Sequence, residues 1–287
     1  MLAVRSLLLV CALATTATAA AAPAPFSVEV RGHGPPVVLI PGLSCGGDVW
    51  RATVDKYAAT HELHVLTLAG FAGQPPIDGP LLEPVRRALA DYIRAHKLAR
   101  PVIVGHSLGG VLALWLAATE PDLVGGVVVV DAVPFLPALM QPGATVDRAR
   151  PQAEAMRTML SALSPAQFAA QNRQSLAAMI TRPADVDAVA ARSTRSDPKA
   201  VAQAMYDVMT TDLRPLLAKV RAPALIFVAA AGQDAAKVRA AYEAQYAPLA
   251  GHTTVVAAKA RHFIMLDDAP LFYRALDRFL ARLGKGA

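Results

Sequence analysis

The stretch Gly105-His106-Ser107-Leu108-Gly109 sets a serine between two glycines, each two residues away. The apolar residues 101–105 precede it and the apolar residues 108–119 follow it. That pattern predicts a strand, a tight turn and a helix with Ser107 at the corner. A corner of this kind strains the serine backbone and leaves no room for bulk at its neighbours. It also lifts the hydroxyl clear of the sheet, beside the positive end of a helix. The chemistry such a placement serves is nucleophilic attack, which a serine hydroxyl performs only when a base takes its proton.

Seven histidines are available as that base. His262, in "AKARHFIMLDD", follows the strand-like residues 253–258 and precedes the last helix. It therefore falls at the carboxyl edge of a sheet, the same edge as Ser107. His33 lies in a turn before a strand, His61 and His64 flank one, His96 ends a helix, His106 sits in the corner itself, and His252 opens a strand at the opposite edge. A catalytic histidine needs a carboxylate to orient it. Asp234, in "FVAAAGQDAAK", follows a strand-like run and is the preferred candidate. Asp131, at the end of the run "GGVVVVDA", points toward the same edge and is the alternative acid. Asp212, Asp267 and Asp268 read as helix caps.

The elements that must carry these residues follow from hydropathy. Continuous apolar runs at residues 35–42, 63–70, 101–105, 125–132, 222–230 and 253–258 have the character of strands buried on both faces. Helical stretches at 48–60, 82–97, 108–119, 235–246 and 269–283 alternate with them. Strands alternating with helices specify a mostly parallel, doubly wound α/β sheet. "FSVEVRG" can add an antiparallel edge strand. Residues 134–216 break the alternation with helical segments only, two of them opened by Ser164-Pro165 and Asp197-Pro198 as cap and first position. This is expected to be a helical lid inserted between core segments 26–133 and 217–287. Its methionines (Met140, Met156, Met159, Met179, Met205, Met209) sit at helical spacing, which favours the core of the lid for most of them over the pocket below.

The first residues, "MLAVRSLLLVCALATTATAAAA", pair one arginine with a short apolar run and an Ala17-Thr18-Ala19 cleavage pattern. That is a secretory leader over residues 1–19, and the expected location is periplasmic or secreted. The apolar run is too short to span a bilayer, so no stable membrane insertion is expected once the leader is gone. Cys11 leaves with it, so Cys45 would stand alone as a buried small hydrophobe and no internal disulfide could form. The formal charge of +6 comes from 28 basic and 22 acidic residues. The basic residues are scattered without like-charge runs or interleaved aromatics, so no nucleic-acid surface is expected.

With serine, acid and histidine in this order and a helical insertion between core strands, the chain resembles the α/β-hydrolase family over essentially all of its length past the leader. The resemblance implies an oxyanion hole built from two backbone N–H groups. One is that of Leu108, after the serine. The other is that of Leu43, in "LIPGLSCGGDVW". Pro41-Gly42 stands where many relatives have His-Gly. In "LAGFAGQPP" the segment departs from a commoner D-x-P-G-x-G pattern, with Thr67 and Ala69 in place of the acid and the proline. What the family implies is acyl transfer with no metal and no cofactor. The apolar residues Leu43, Leu108, Val133, Phe135 and Leu136, with the lid methionines, point to a carboxylic ester with an apolar acyl or alcohol part. Alternatives on the same scaffold are a lactonase of the acyl-homoserine lactone type and an aminopeptidase or amidase. The alternative from another class is a non-catalytic ligand-binding homologue.

Overall fold

The computed structural model describes residues 24–284. The expected leader, with Cys11, lies outside the described residues. In chain order the core opens with β1 (Phe26–Gly32), β2 (Pro36–Ile40), α1 (Arg51–Tyr57), β3 (Glu62–Leu68), α2 (Leu82–Ala95), β4 (Val102–His106), α3 (Leu108–Thr119) and β5 (Gly126–Val130). Five helices follow: α4 (Leu136–Met140), α5 (Val146–Ser161), α6 (Pro165–Met179), α7 (Pro183–Ser193) and α8 (Pro198–Thr210). The core then resumes with β6 (Ala224–Ala229), α9 (Ala235–Tyr246), β7 (Thr253–Ala257), α10 (Ile264–Asp267) and α11 (Ala269–Gly284).

The seven strands form one sheet in the order β1-β3-β2-β4-β5-β6-β7. Only β1 runs antiparallel, paired with β3 from Phe26↔Leu68 to Gly32↔Glu62. The apolar runs are continuous because both faces of the sheet are covered. Along β2, Val38 and Ile40 face one core with α2, α3 and α9, while Val37 and Leu39 face the other with α1 and α11. Val127 and Val129 on β5 alternate with Val128 and Val130 in the same way. Each face thus takes every second residue, and no position along the strand is left to water.

The inserted helices start where their caps dictate. Ser164 and Gln167 form a reciprocal capping box at α6, with Pro165 in the first turn. Asp197 accepts the Ala200 N–H at 2.8 Å to open α8. Two of the inserted helices, α4 and α7, and the short α10 of the core were not foreseen. α4 is only five residues long, too short for a periodic signal, and α7 buries Val186, Val189 and Ala190 behind polar flanks. Among the described residues no helix is long and apolar enough to cross a membrane.

Candidate active site

Ser107 stands between β4 and α3 with φ 53° and ψ −120°, a conformation that costs a non-glycine residue roughly 1–3 kcal/mol. Its surroundings hold it there. Its N–H donates to Val130 O at 2.9 Å, tying the corner to the end of the neighbouring strand. The flanking glycines are a packing requirement: a Cβ on Gly105 would lie 2.0 Å from Gly109 O, and one on Gly109 would lie 2.4 Å from Ile40 O.

His262 follows β7 in the segment before α10. Its Nδ1 is 2.6 Å from Asp131 Oδ2. A carboxylate only accepts, so Nδ1 carries the hydrogen and Nε2 keeps a lone pair. Asp131, just past the end of β5, has a side chain only 9% exposed and φ 51°, a turn that directs that side chain across the sheet edge. Its other oxygen, Oδ1, accepts from the Ala229 N–H and from the Tyr242 hydroxyl, each at 2.9 Å. Burial, with the Asp131 charge adding to it, pushes the Tyr242 phenol far up, so this hydroxyl stays a donor.

The expectation that Asp234 orients His262 is corrected by this geometry. Asp234 is the N-cap of α9, where Oδ1 accepts the N–H groups of Ala236 at 2.9 Å and Lys237 at 3.2 Å. Asp131, the alternative acid, holds the imidazole instead. Asp268 accepts the Leu271 N–H as a cap should, but Asp267 does not cap α11: it binds Thr181 and the Arg261 N–H.

His106 is fully buried beneath the site. Its Nε2 lies 3.1 Å from the His262 carbonyl, so Nε2–H donates, while the buried Nδ1 has no partner among the described residues. Burial pushes its pKa well down, and the neighbouring His262 adds to this. The two imidazoles lie 4.6 Å apart, and the Phe263 ring packs against His106 at 4.5 Å and against His262 at 5.7 Å. His106 thereby braces the segment that carries His262.

Ser107 and His262 line the same cavity, of about 460 Å³. No hydrogen bond joins them among the described residues, and catalytic hydrogen bonds commonly tighten only when substrate binds. The Leu108 N–H is the first of α3. The Leu43 N–H lies in the turn closed by Cys45 N–H to Gly42 O at 3.1 Å. Both residues line the cavity, and neither N–H has a backbone acceptor in the turns and loops of the described residues. Cys45 is buried beside them, and burial, with Asp48 adding to it, pushes its thiol up to about 12.

The inserted helices roof this cavity with Met156, Met159, Met179 and Met205, together with Leu160, Phe168, Leu176 and Val208. Methionine placement is a second correction, because four of the six face the cavity. Met209 is buried, and Met140 is 80% exposed. Val133 and Phe135 are also displaced from expectation: Val133 joins the core beneath α3, and Phe135 packs with Ala144 and Ala149. No Asp or Glu lines the cavity among the described residues. Sequence reasoning missed Tyr242 behind Asp131 and Asn172 on α6. Tyr242 shares with Tyr246 the i, i+4 spacing of an ordinary buried face, which carries no mark of a catalytic role.

A serine in a strained strand–turn–helix corner opens, with a carboxylate-bound histidine, onto one roofed cavity over a mostly parallel sheet, which is the architecture of an α/β-hydrolase fold. The chain belongs to the alpha/beta hydrolase family, whose model matches residues 37–275. It is 33% identical over 114 residues to a pimeloyl-[acyl-carrier protein] methyl ester esterase of Vibrio atlanticus, a match covering 40% of this chain and 43% of that protein. The chain thus spans less than half the length of the curated relatives it matches. Among solved structures it resembles a thermophilic esterase from Thermogutta terrifontis (TM-score 0.74, 20% identity, 90% of this chain and 93% of that one). It also resembles the enol-lactonase from Burkholderia xenovorans LB400 (TM-score 0.72, 18% identity, 89% and 96%). At these identities the two structures speak to the fold alone.

Proposed function

We propose that this protein is a serine hydrolase that cleaves a carboxylic ester through an acyl-enzyme, with Ser107 as nucleophile, His262 as base and Asp131 as the orienting acid. The observation that carries the proposal is the 2.6 Å contact between His262 Nδ1 and Asp131 Oδ2, which leaves Nε2 free to take a proton in the cavity that Ser107 lines. Ser107 Oγ attacks the ester carbonyl as His262 Nε2 takes its proton. The oxyanion is held by the N–H groups of Leu43 and Leu108, each such donor worth about a hundredfold or more in rate. The intermediate collapses, and His262 returns the proton to the leaving alkoxide. Water then attacks the acyl-enzyme with His262 again as base, and the acid leaves as Ser107 regains its proton.

The apolar roof supports an ester whose acyl or alcohol part is apolar, and the cavity volume is that of a small-molecule site. The esterase names of the sequence relatives support ester chemistry. An aminopeptidase needs an anion to hold the substrate ammonium, and the cavity-lining residues offer none. The leader-like start of the sequence supports export, with action in the periplasm or outside the cell.

The test is hydrolysis of p-nitrophenyl acetate, butyrate and octanoate, with lactones and aminoacyl amides alongside, by wild type and Ser107→Ala. The expected result is wild-type turnover that favours esters over amides and is abolished in Ser107→Ala. Equal turnover by the two proteins, or none by either, would refute the proposal.

A further inference from the structure

We propose that Asn172, on α6, is a positioning residue that holds the turn carrying the Leu43 N–H, so that this helix is a working part of the oxyanion hole as well as its roof. The proposal rests on the ester-hydrolase reading above and adds to it a residue outside the triad and the two backbone donors.

Leu43 and Ser44 are the two central residues of the Gly42–Cys45 turn. Ser44 is 4% exposed and has φ 61°, a left-handed conformation that a serine does not take without support. The support comes from the inserted helices. Asn172 Nδ2 donates to Ser44 Oγ at 2.8 Å, and Asn172 Oδ1 accepts from the hydroxyl of Ser193, the last residue of α7, at 2.8 Å. The Ser44 carbonyl accepts from the Ser196 hydroxyl at 2.8 Å, and Ser196 Oγ in turn accepts the Ala72 N–H at 2.8 Å. Both the side chain and the main chain of Ser44 are therefore held from outside its own loop, by residues themselves buried or half-buried. The far end of α6 is anchored too. Asp267 accepts the Thr181 N–H at 2.9 Å and the Thr181 hydroxyl at 2.8 Å, and its Oδ2 also accepts the Arg261 N–H, next to His262, at 2.8 Å. The helix is thus tied at one point to the oxyanion turn and at another to the histidine segment.

Without the Asn172 bond, the left-handed Ser44 has every reason to relax toward negative φ, and the Leu43 peptide moves with it. The oxyanion donor is then misaligned while the apolar walls that bind the acyl group stay. The expected signature is a fall in kcat at nearly constant KM, by about tenfold to a hundredfold, part of what a whole oxyanion donor supplies.

The experiment compares wild type, Asn172→Ala, Ser44→Gly, the double variant and Arg173→Ala. Arg173→Ala removes the exposed Arg173–Asp187 pair, which also joins α6 to α7 but does not reach the turn. Kinetics on p-nitrophenyl butyrate are read beside labelling of Ser107 by a fluorophosphonate, and Tm is measured for each protein. Asn172→Ala is expected to lose kcat, and Arg173→Ala to match wild type. Adding Ser44→Gly should restore much of the loss, because glycine takes φ 61° without strain and no longer needs the bond. A wild-type kcat in Asn172→Ala would overturn the proposal. So would a rise in KM at constant kcat, which assigns Asn172 to substrate contact, or a loss that Ser44→Gly leaves untouched. Wild type that neither turns over ester nor takes the label would instead sink the hydrolase reading on which the proposal stands.

Discussion

Replacing Asp131 by asparagine should cost nearly all activity, although the side chain keeps its shape. Oδ1 of Asp131 already accepts two hydrogens, from the Ala229 N–H and the Tyr242 hydroxyl. In Asp131→Asn the amide oxygen must stay on those donors, since an NH2 there would face two hydrogens. The NH2 is thereby forced to the Oδ2 position, 2.6 Å from His262 Nδ1. Nδ1 must then accept, the imidazole hydrogen moves to Nε2, and the atom that should take the serine proton has none of its lone pair left. A wrong-tautomer histidine of this kind costs about ten-thousandfold, or about 5.4 kcal/mol of transition-state stabilisation. Asp234→Asn is the matched comparison. Asparagine caps a helix as well as aspartate does, so kcat/KM should stay within about twofold of wild type. The assay is kcat/KM on p-nitrophenyl butyrate, with circular dichroism to show that both variants fold. An Asp131→Asn enzyme within tenfold of wild type, or a greater loss from Asp234→Asn, would refute the tautomer argument.

Two further outcomes follow from the groups around that pair. Tyr242→Phe leaves Oδ1 with the Ala229 N–H alone. It should cost about 1.5–3 kcal/mol of folding stability in urea and lower kcat/KM by far less than Asp131→Asn does; undiminished stability would show that the phenol does not support the acid. His106 is neutral in the fold with its pKa pushed well below the ordinary 6.5, whereas the unfolded chain protonates it near that value. The unfolded state therefore binds more protons as pH falls through 6.5, and stability drops in that direction. From pH 7.5 to 5.5 wild type should lose about 1.4 kcal/mol that His106→Gln retains, measured by urea titration at each pH; parallel curves for the two proteins would show that His106 takes up a proton in the fold.

The sheet was readable from sequence because burial on both faces removes polar residues from whole strands, and β4, β5 and β6 announce themselves as unbroken apolar runs. Ser107 was readable because its corner demands glycines at fixed spacing. The acid was not. Asp131 and Asp234 each follow a strand and each reach the same edge, and although the helix expected from residue 235 already offered Asp234 a capping role, it is the positive φ at Asp131 that separates them. That φ is a backbone fact that residue type does not encode. The methionines defeated periodicity for a related reason: a face turned to an apolar cavity has the same spacing as a face packed on a core. The Asn172–Ser44 bond joins residues 128 apart, and neither one stands in a recognisable pattern.

Asp131 directly follows the strand that pairs with the strand leading to Ser107, at Gly105↔Val129 and His106↔Val130. Ser107 and Asp131 therefore follow directly on two adjacent strands of one hydrogen-bonded ladder, and of the three residues proposed as a triad only His262 arrives on a loop. The bend after β6 supplies none of the three, yet its ends support two of them: the Ala229 N–H donates to Asp131 and the Ala231 N–H to the Ala260 carbonyl, two residues before His262. For protein engineering the usable point is therefore the exposed tip at Gly232 and Gln233, where a Cβ on Gly232 would meet nothing within 4 Å and a peptide, a tag or a second binding module could be spliced in clear of those bonds.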